Sequence, residues 1–137
     1  MEDRIAAEVE ELHLFFEGWF VGTLERSDEV FSQLPEALAP GFAIIGPSGR
    51  LVEREDLLVE IRRAHGAWQP LGGRIRIENF RHRQSVQGLH VVTYEEHQAQ
   101  GGTKTARLSS ALLADAPESP RGLRWLHVHE TWLPGRP

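Results

Sequence analysis

Four runs of alternating apolar and polar residues fill the second half of the chain, at residues 74–83, 89–98, 104–114 and 123–133. The stretches that separate them, residues 85–88, 100–102 and 115–122, are short and rich in turn formers. Connections of that length cannot carry a parallel crossover, so neighbouring strands must run antiparallel. A chain built this way has one sheet with two faces, and another layer must cover the apolar one.

That layer lies upstream. Ile5, Val9, Leu12, Phe16, Trp19 and Phe20 recur at steps of three and four within residues 5–24, the period of a helix with one buried stripe. Ser27, followed by Asp28 and Glu29, offers an N-cap and a first-turn pair of acids ahead of Val30, Phe31, Leu34 and Leu38. Pro35 is expected to bend or split this second helix. Ala39-Pro40-Gly41 reads as a turn, and residues 42–45 pair with Leu51-Val52 in a small hairpin around Gly46-Pro47-Ser48-Gly49. Residues 53–65 place Leu57, Leu58, Ile61 and Ala64 inward on a third helix, and Gly66 stands where a left-handed cap is wanted. The expected class is α+β: three N-terminal helices packed on one face of a mostly antiparallel sheet, in a single domain over residues 1–137.

Composition narrows the partners. A formal charge of -5, with arginines interleaved among acids, leaves no concentrated basic face, so no nucleic acid is expected. The absence of cysteine removes disulfides, thiol catalysis and thiolate metal sites together. No apolar run reaches the length that spans a bilayer, and the acidic Met1-Glu2-Asp3 start is unlike a secretory signal, so no membrane partner and a cytoplasmic location are expected.

The stretch Arg124-Trp-Leu-His-Val-His-Glu-Thr-Trp132 holds the densest chemistry. On a strand, Trp125, His127, His129 and Thr131 share one face, and Leu126, Val128, Glu130 and Trp132 the other. A His-x-His pair is two metal ligands where a site needs three or four; His82, His90 and His97 are possible contributors, but no metal or other cofactor is expected. The more apolar face is oriented inward, which places Glu130 on a mostly buried surface where it needs a partner. The loop lengths set Arg107 opposite both Glu130 and Glu95, giving an inferred row Glu95-Arg107-Glu130. Desolvation and mutual repulsion raise carboxyl pKa values while the guanidinium lowers them, so one glutamate of such a row can hold a proton and serve as general acid or base. The plain alternative is a cross-strand ion-pair ladder. Phe16, Trp19, His97 and Trp132 are candidate ligand contacts. His13 reads as solvated, and Ser109-Ser110 shows no base and acid at motif spacing.

The helix pattern, the hairpin from Phe42 to Leu51 and the closing run Gly122-Leu-Arg-Trp-Leu-His-Val-His-Glu-Thr131 resemble the nuclear transport factor 2-like superfamily, in particular its SnoaL-like branches and related domains of unknown function. The ending is also similar to the association domain of calcium/calmodulin-dependent kinases. The resemblance implies a cone-shaped fold whose curved sheet encloses a pocket, commonly assembled as a homodimer through the sheet. One helical layer covers one sheet face only, so the dimer interface is expected on the other, including some of Tyr94, Leu108, Trp125, His127, His129 and Thr131. The ketosteroid isomerase machinery of that superfamily is absent: Phe15 and Phe16 stand where a tyrosine is found, and Gly46 where an aspartate base precedes Pro47. The functional expectation is a pocket for an apolar or aromatic small molecule, with cofactor-independent acid/base chemistry of the isomerase, cyclase or dehydratase type. The alternative is a noncatalytic dimerisation or ligand-sensing module.

Overall fold

The computed structural model describes residues 2–134. Its elements are helices α1 (Glu2–Val21), α2 (Asp28–Phe31), α3 (Gln33–Ala37) and α4 (Arg54–Arg63), and strands β1 (Leu38–Ile45), β2 (Leu51–Glu53), β3 (Gly73–Val86), β4 (Leu89–Gln100), β5 (Thr103–Asp115) and β6 (Leu123–Trp132). Ser27 caps α2 by accepting from the Val30 amide, as its position implied. The second expected helix is indeed split, with the break at Ser32 and Pro35 inside the first turn of α3. None of the described helices is long and apolar enough to cross a membrane.

The six strands form one sheet in the order β2-β1-β6-β5-β4-β3. The meander β3 to β6 is antiparallel throughout, and the β1–β2 hairpin joins it by parallel pairing of β1 with β6. The expected turn at Ala39-Pro40-Gly41 is instead an irregular part of β1, where the register against β6 jumps between Leu38 and Ala43. Pro40 has no amide to give a ladder, so the unpaired stretch is where a strand can accommodate it.

The helices cover one face. Ile5, Val9, Leu12 and Trp19 of the expected stripe are buried, joined by Phe15, while Phe16 and Phe20 are partly buried against the same core. Two polar residues of α1 are buried with them, Glu8 and His13. Glu8 accepts from Arg121 Nε at 2.7 Å and from Trp125 Nε1 at 2.8 Å, the hydrogen-bonded pairing that a buried carboxylate requires.

Two positions expected on the uncovered face belong to the core: Tyr94 and Trp125 are each 1% exposed. Trp125 turns inward because β6 carries an irregularity, with Leu112 opposite His127 but Leu113 opposite Trp125. The extra residue, Leu126, reverses the alternation below it. Tyr94 turns inward because β4 pairs with β5 one residue away from the inferred register, and one residue sends every side chain of a strand to the other face.

Candidate functional site

Leu12, Phe16, Phe20, Leu38, Phe42, Ile44, Leu57 and Ile61 line a cavity of about 160 Å³ between the helices and the sheet. Its floor is polar. His13, Tyr94, Glu96, Gln98, Arg107 and Glu130 converge there from α1, β4, β5 and β6.

The register explains the convergence. Glu96 lies directly opposite Arg107, and Ser109 opposite Glu130, so all four side chains share the inner face. Arg107 Nη1 donates to Glu130 Oε1 at 3.1 Å. Trp132, not Glu130 as expected, stands directly opposite Arg107, so the guanidinium reaches Glu130 on the diagonal, and the observed cluster is Glu96, Arg107 and Glu130. Glu95, expected there, pairs with Leu108 on the opposite face, displaced by the same single residue that misplaced Tyr94.

His13 enters from the helix side. Its Nδ1 lies 2.8 Å from the Val9 carbonyl, so that nitrogen carries a hydrogen, and its Nε2 points at Glu96 Oε1, 3.3 Å away. Burial alone would lower the imidazole pKa, but the charge and hydrogen bond of Glu96 outweigh it and the net displacement is upward. Glu96 moves the opposite way: burial pushes its pKa up, while His13, Arg107 and the 2.6 Å hydrogen bond from Gln98 Nε2 pull it below the usual carboxylate range. Glu130 is raised, first by burial and then by the neighbouring Glu96 charge, with Arg107 opposing. Burial also holds the Tyr94 hydroxyl well above its ordinary pKa, keeping it a donor. The site therefore contains a paired His13–Glu96 couple beside a carboxyl, Glu130, whose acidity is displaced in the opposite direction from that of Glu96.

Of the remaining candidates, Phe16 lines the cavity. Trp19 is buried in the adjoining core, stacked on Phe15 with Nε1 donating to the Ile61 carbonyl at 2.7 Å. Trp132 is 46% exposed at the end of β6, its ring under the Arg107 guanidinium at 5.0 Å. His97 is on the outer face, where Nε2 lies 2.9 Å from Glu95 Oε1 and 3.6 Å from Glu78 Oε1. These three side chains are the only grouping among the described residues with ligand atoms close enough to hold a metal ion, and neither His127 nor His129 belongs to it. Each carboxylate there already has a donor, Asn79 on Glu95 and Arg76 on Glu78. Leu108, His129 and Thr131 are exposed and His127 half-buried on that outer face.

Sequence reasoning missed His13, placed in solvent because a histidine beside apolar neighbours on a helix is weak evidence of burial. The available signal was position. His13 follows Leu12 by one and precedes Phe16 by three, inside the apolar arc of α1.

Residues 5–134 match the family described as sucrose-6-phosphate phosphohydrolase, C-terminal. Among curated proteins, sucrose-phosphatase 1 of Nicotiana tabacum is 31% identical over 98% of this chain and 32% of its own length. The chain thus spans about a third of the length of the curated relatives it matches. Among solved structures, a nuclear transport factor 2-like protein of unknown function from Pseudomonas aeruginosa is 24% identical, covers 95% of this chain and 98% of its own, and superposes with a TM-score of 0.84. A CaMKII hub from S. rosetta is 13% identical, covers 93% and 94% of the two chains, and gives 0.66. The nuclear transport factor 2-like fold inferred from the sequence is the fold observed, and within it the sequence match is to the phosphohydrolase C-terminal family.

Proposed function

The chain belongs to the sucrose-6-phosphate phosphohydrolase C-terminal family, and from that premise and the cavity we propose that it binds a small, neutral, single-ring molecule carrying one hydroxyl or carbonyl group. The observation that carries the reading is one apolar cavity faced by two buried carboxyls whose acidities are displaced in opposite directions. Such a divergence separates an acid from a base within one site. A cavity of about 160 Å³ has the size that accepts a benzene-like ring.

In this reading the ring lies against Phe16, Phe42 and Ile61, and its oxygen meets Glu130 and Tyr94. Glu130 donates a proton to that oxygen as general acid, while the His13–Glu96 couple accepts one from the ligand. Arg107 stabilises the carboxylate that Glu130 becomes. The Arg107 Nε is a buried donor without a partner among the described residues, and a ligand oxygen would satisfy it. Calorimetric titration with phenol and with 2-cyclohexenone tests the binding, and solvent deuterium exchange into 2-cyclohexenone tests the proton transfer. Binding of phenol that disappears in Phe42→Trp, which fills the cavity, supports the reading. Failure of both probes to bind, or binding unchanged in Phe42→Trp, refutes it.

A second reading has its own support. The helices cover one sheet face only, leaving Leu108 40% exposed beside His127, His129 and Thr131. This outer face suits an isologous contact with a second copy, giving a homodimer.

A further inference from the structure

At the other end of β4, six residues and roughly 20 Å from Glu96, a second set of polar side chains meets. The hairpin β3–β4 closes on Gln87 and Gly88, with φ of +48° and +82°, the left-handed pair that a two-residue turn needs. That turn puts Ser85 directly opposite His90 on one face. Ser85 is exposed, whereas the His90 side chain is 2% exposed. Ser85 Oγ lies 2.7 Å from His90 Nδ1, and His90 Nε2 lies 2.9 Å from Asp115 Oδ1. Arg4 Nη2 holds the same carboxylate oxygen at 3.0 Å, and Arg4 Nη1 is anchored on the Gly122 carbonyl at 2.9 Å.

The direction of every hydrogen bond follows from the acid. The bonds from His90 and then Arg4 hold the Asp115 carboxyl below its ordinary pKa, and a carboxylate only accepts. His90 Nε2 must therefore carry the hydrogen, and in the neutral ring Nδ1 presents its lone pair to Ser85. The Ser85 hydroxyl must donate to it. That leaves Oγ free to accept from His82 Nε2, 2.6 Å away.

We propose that Ser85, His90 and Asp115 form an acyl-transfer centre, with Ser85 as nucleophile, His90 as general base and Asp115 as the group that orients the imidazole. The nitrogens are exchanged relative to the common serine hydrolase arrangement, but the chemistry needs only one N–H held by a carboxylate and one lone pair at the hydroxyl. Ser85 Oγ attacks the carbonyl carbon of an accessible ester as its proton passes to His90 Nδ1. The C–O bond to the leaving group breaks, and that oxygen takes the proton from Nδ1. Water then attacks acylated Ser85, giving one proton to Nδ1, which returns it to Oγ as the carboxylic acid departs. The substrate class is a short-chain ester with a good leaving group, because an exposed hairpin can reach an unhindered carbonyl.

The full chain is incubated with a fluorophosphonate and, separately, with p-nitrophenyl acetate. The expected result is a single phosphonyl adduct on the peptide carrying Ser85 and a stoichiometric burst of nitrophenolate, both lost in Ser85→Ala with an unchanged thermal midpoint. Ser85→Cys introduces the one thiol of a chain without cysteine. Its alkylation by iodoacetamide should titrate at least one pH unit below an ordinary thiol, which has a pKa of about 8.5. An adduct on a histidine in place of Ser85, undiminished hydrolysis by Ser85→Ala, or an ordinary thiol profile in Ser85→Cys overturns the proposal.

Discussion

Glu95 and Glu96 are neighbours on β4, and their carboxylates face opposite sides of one sheet. Each meets a histidine: Glu95 lies 2.9 Å from His97 and Glu96 lies 3.3 Å from His13. The outer pair is half-buried beside Glu78, Asn79 and Arg76, whereas the inner pair is almost sealed among aromatic and aliphatic walls. Chemical composition is nearly the same in the two clusters, so the difference in expected behaviour comes from dielectric surroundings. In the outer cluster, water competes for every bond and screens the charges. In the inner one, each charge depends on its protein partner.

The largest break in that comparison is His13→Ala, which strands the buried Glu96 carboxylate and should cost about 3–5 kcal/mol in urea unfolding. A loss below about 1 kcal/mol would mean that the inner cluster is as well hydrated as the outer. Arg107→Ala should cost about 2–3 kcal/mol, since Glu96 and Glu130 then share the cavity floor without their guanidinium. Adding Glu130→Gln should recover much of it, and strict additivity in the cycle would show that Arg107 and Glu130 are not coupled.

Acidity sharpens the contrast next. The His13 pKa is raised, so its stabilising effect is complete below its ordinary 6.5 and fades as pH climbs through the raised value. The Glu96 pKa is lowered, so its effect is complete above 4.5 and disappears as pH falls through the lowered value. The stability advantage of the wild type over His13→Gln should therefore peak between about pH 4.5 and 6.5 and change by about 1.4 kcal/mol per unit of displacement. A flat difference across pH 4 to 9 would contradict the charged pair.

The uncovered face should respond through assembly. Leu108→Asp should weaken the proposed homodimer at least tenfold, about 1.4 kcal/mol, as read by sedimentation; an unchanged association constant would move the interface elsewhere. Glu95→Gln should be the mildest, within about 1 kcal/mol of wild type, because its surroundings retain solvent.

What the sequence could and could not disclose follows the same line. Helical stripes and strand alternation are local, so α1, the split at Ser32 near Pro35 and the four-stranded meander were legible from residue spacing. Glu130 was found because it alternates with apolar residues on its strand, whereas Arg107 was reached through loop-length registers that the structure shifts, since it stands opposite Glu96 and Trp132. The parallel seam between β1 and β6 was not legible, since pairing across some eighty residues leaves no local pattern. Glu96, Tyr94 and Trp125 were also beyond the sequence, for a geometric reason.

Side chains on a strand alternate with a period of two, so one unit of register exchanges Glu95 for Glu96 and core for surface. The register is set by the tight turns at Gln87-Gly88 and Gly101-Gly102 together with the extra residue at Leu126, and by which alternative buries more apolar area. The sequence by itself determined the layers, the antiparallel course of the meander and the presence of buried charge. Only the tertiary structure decided which carboxylate meets His13, because that choice is a sum over the whole interface between α1 and the sheet.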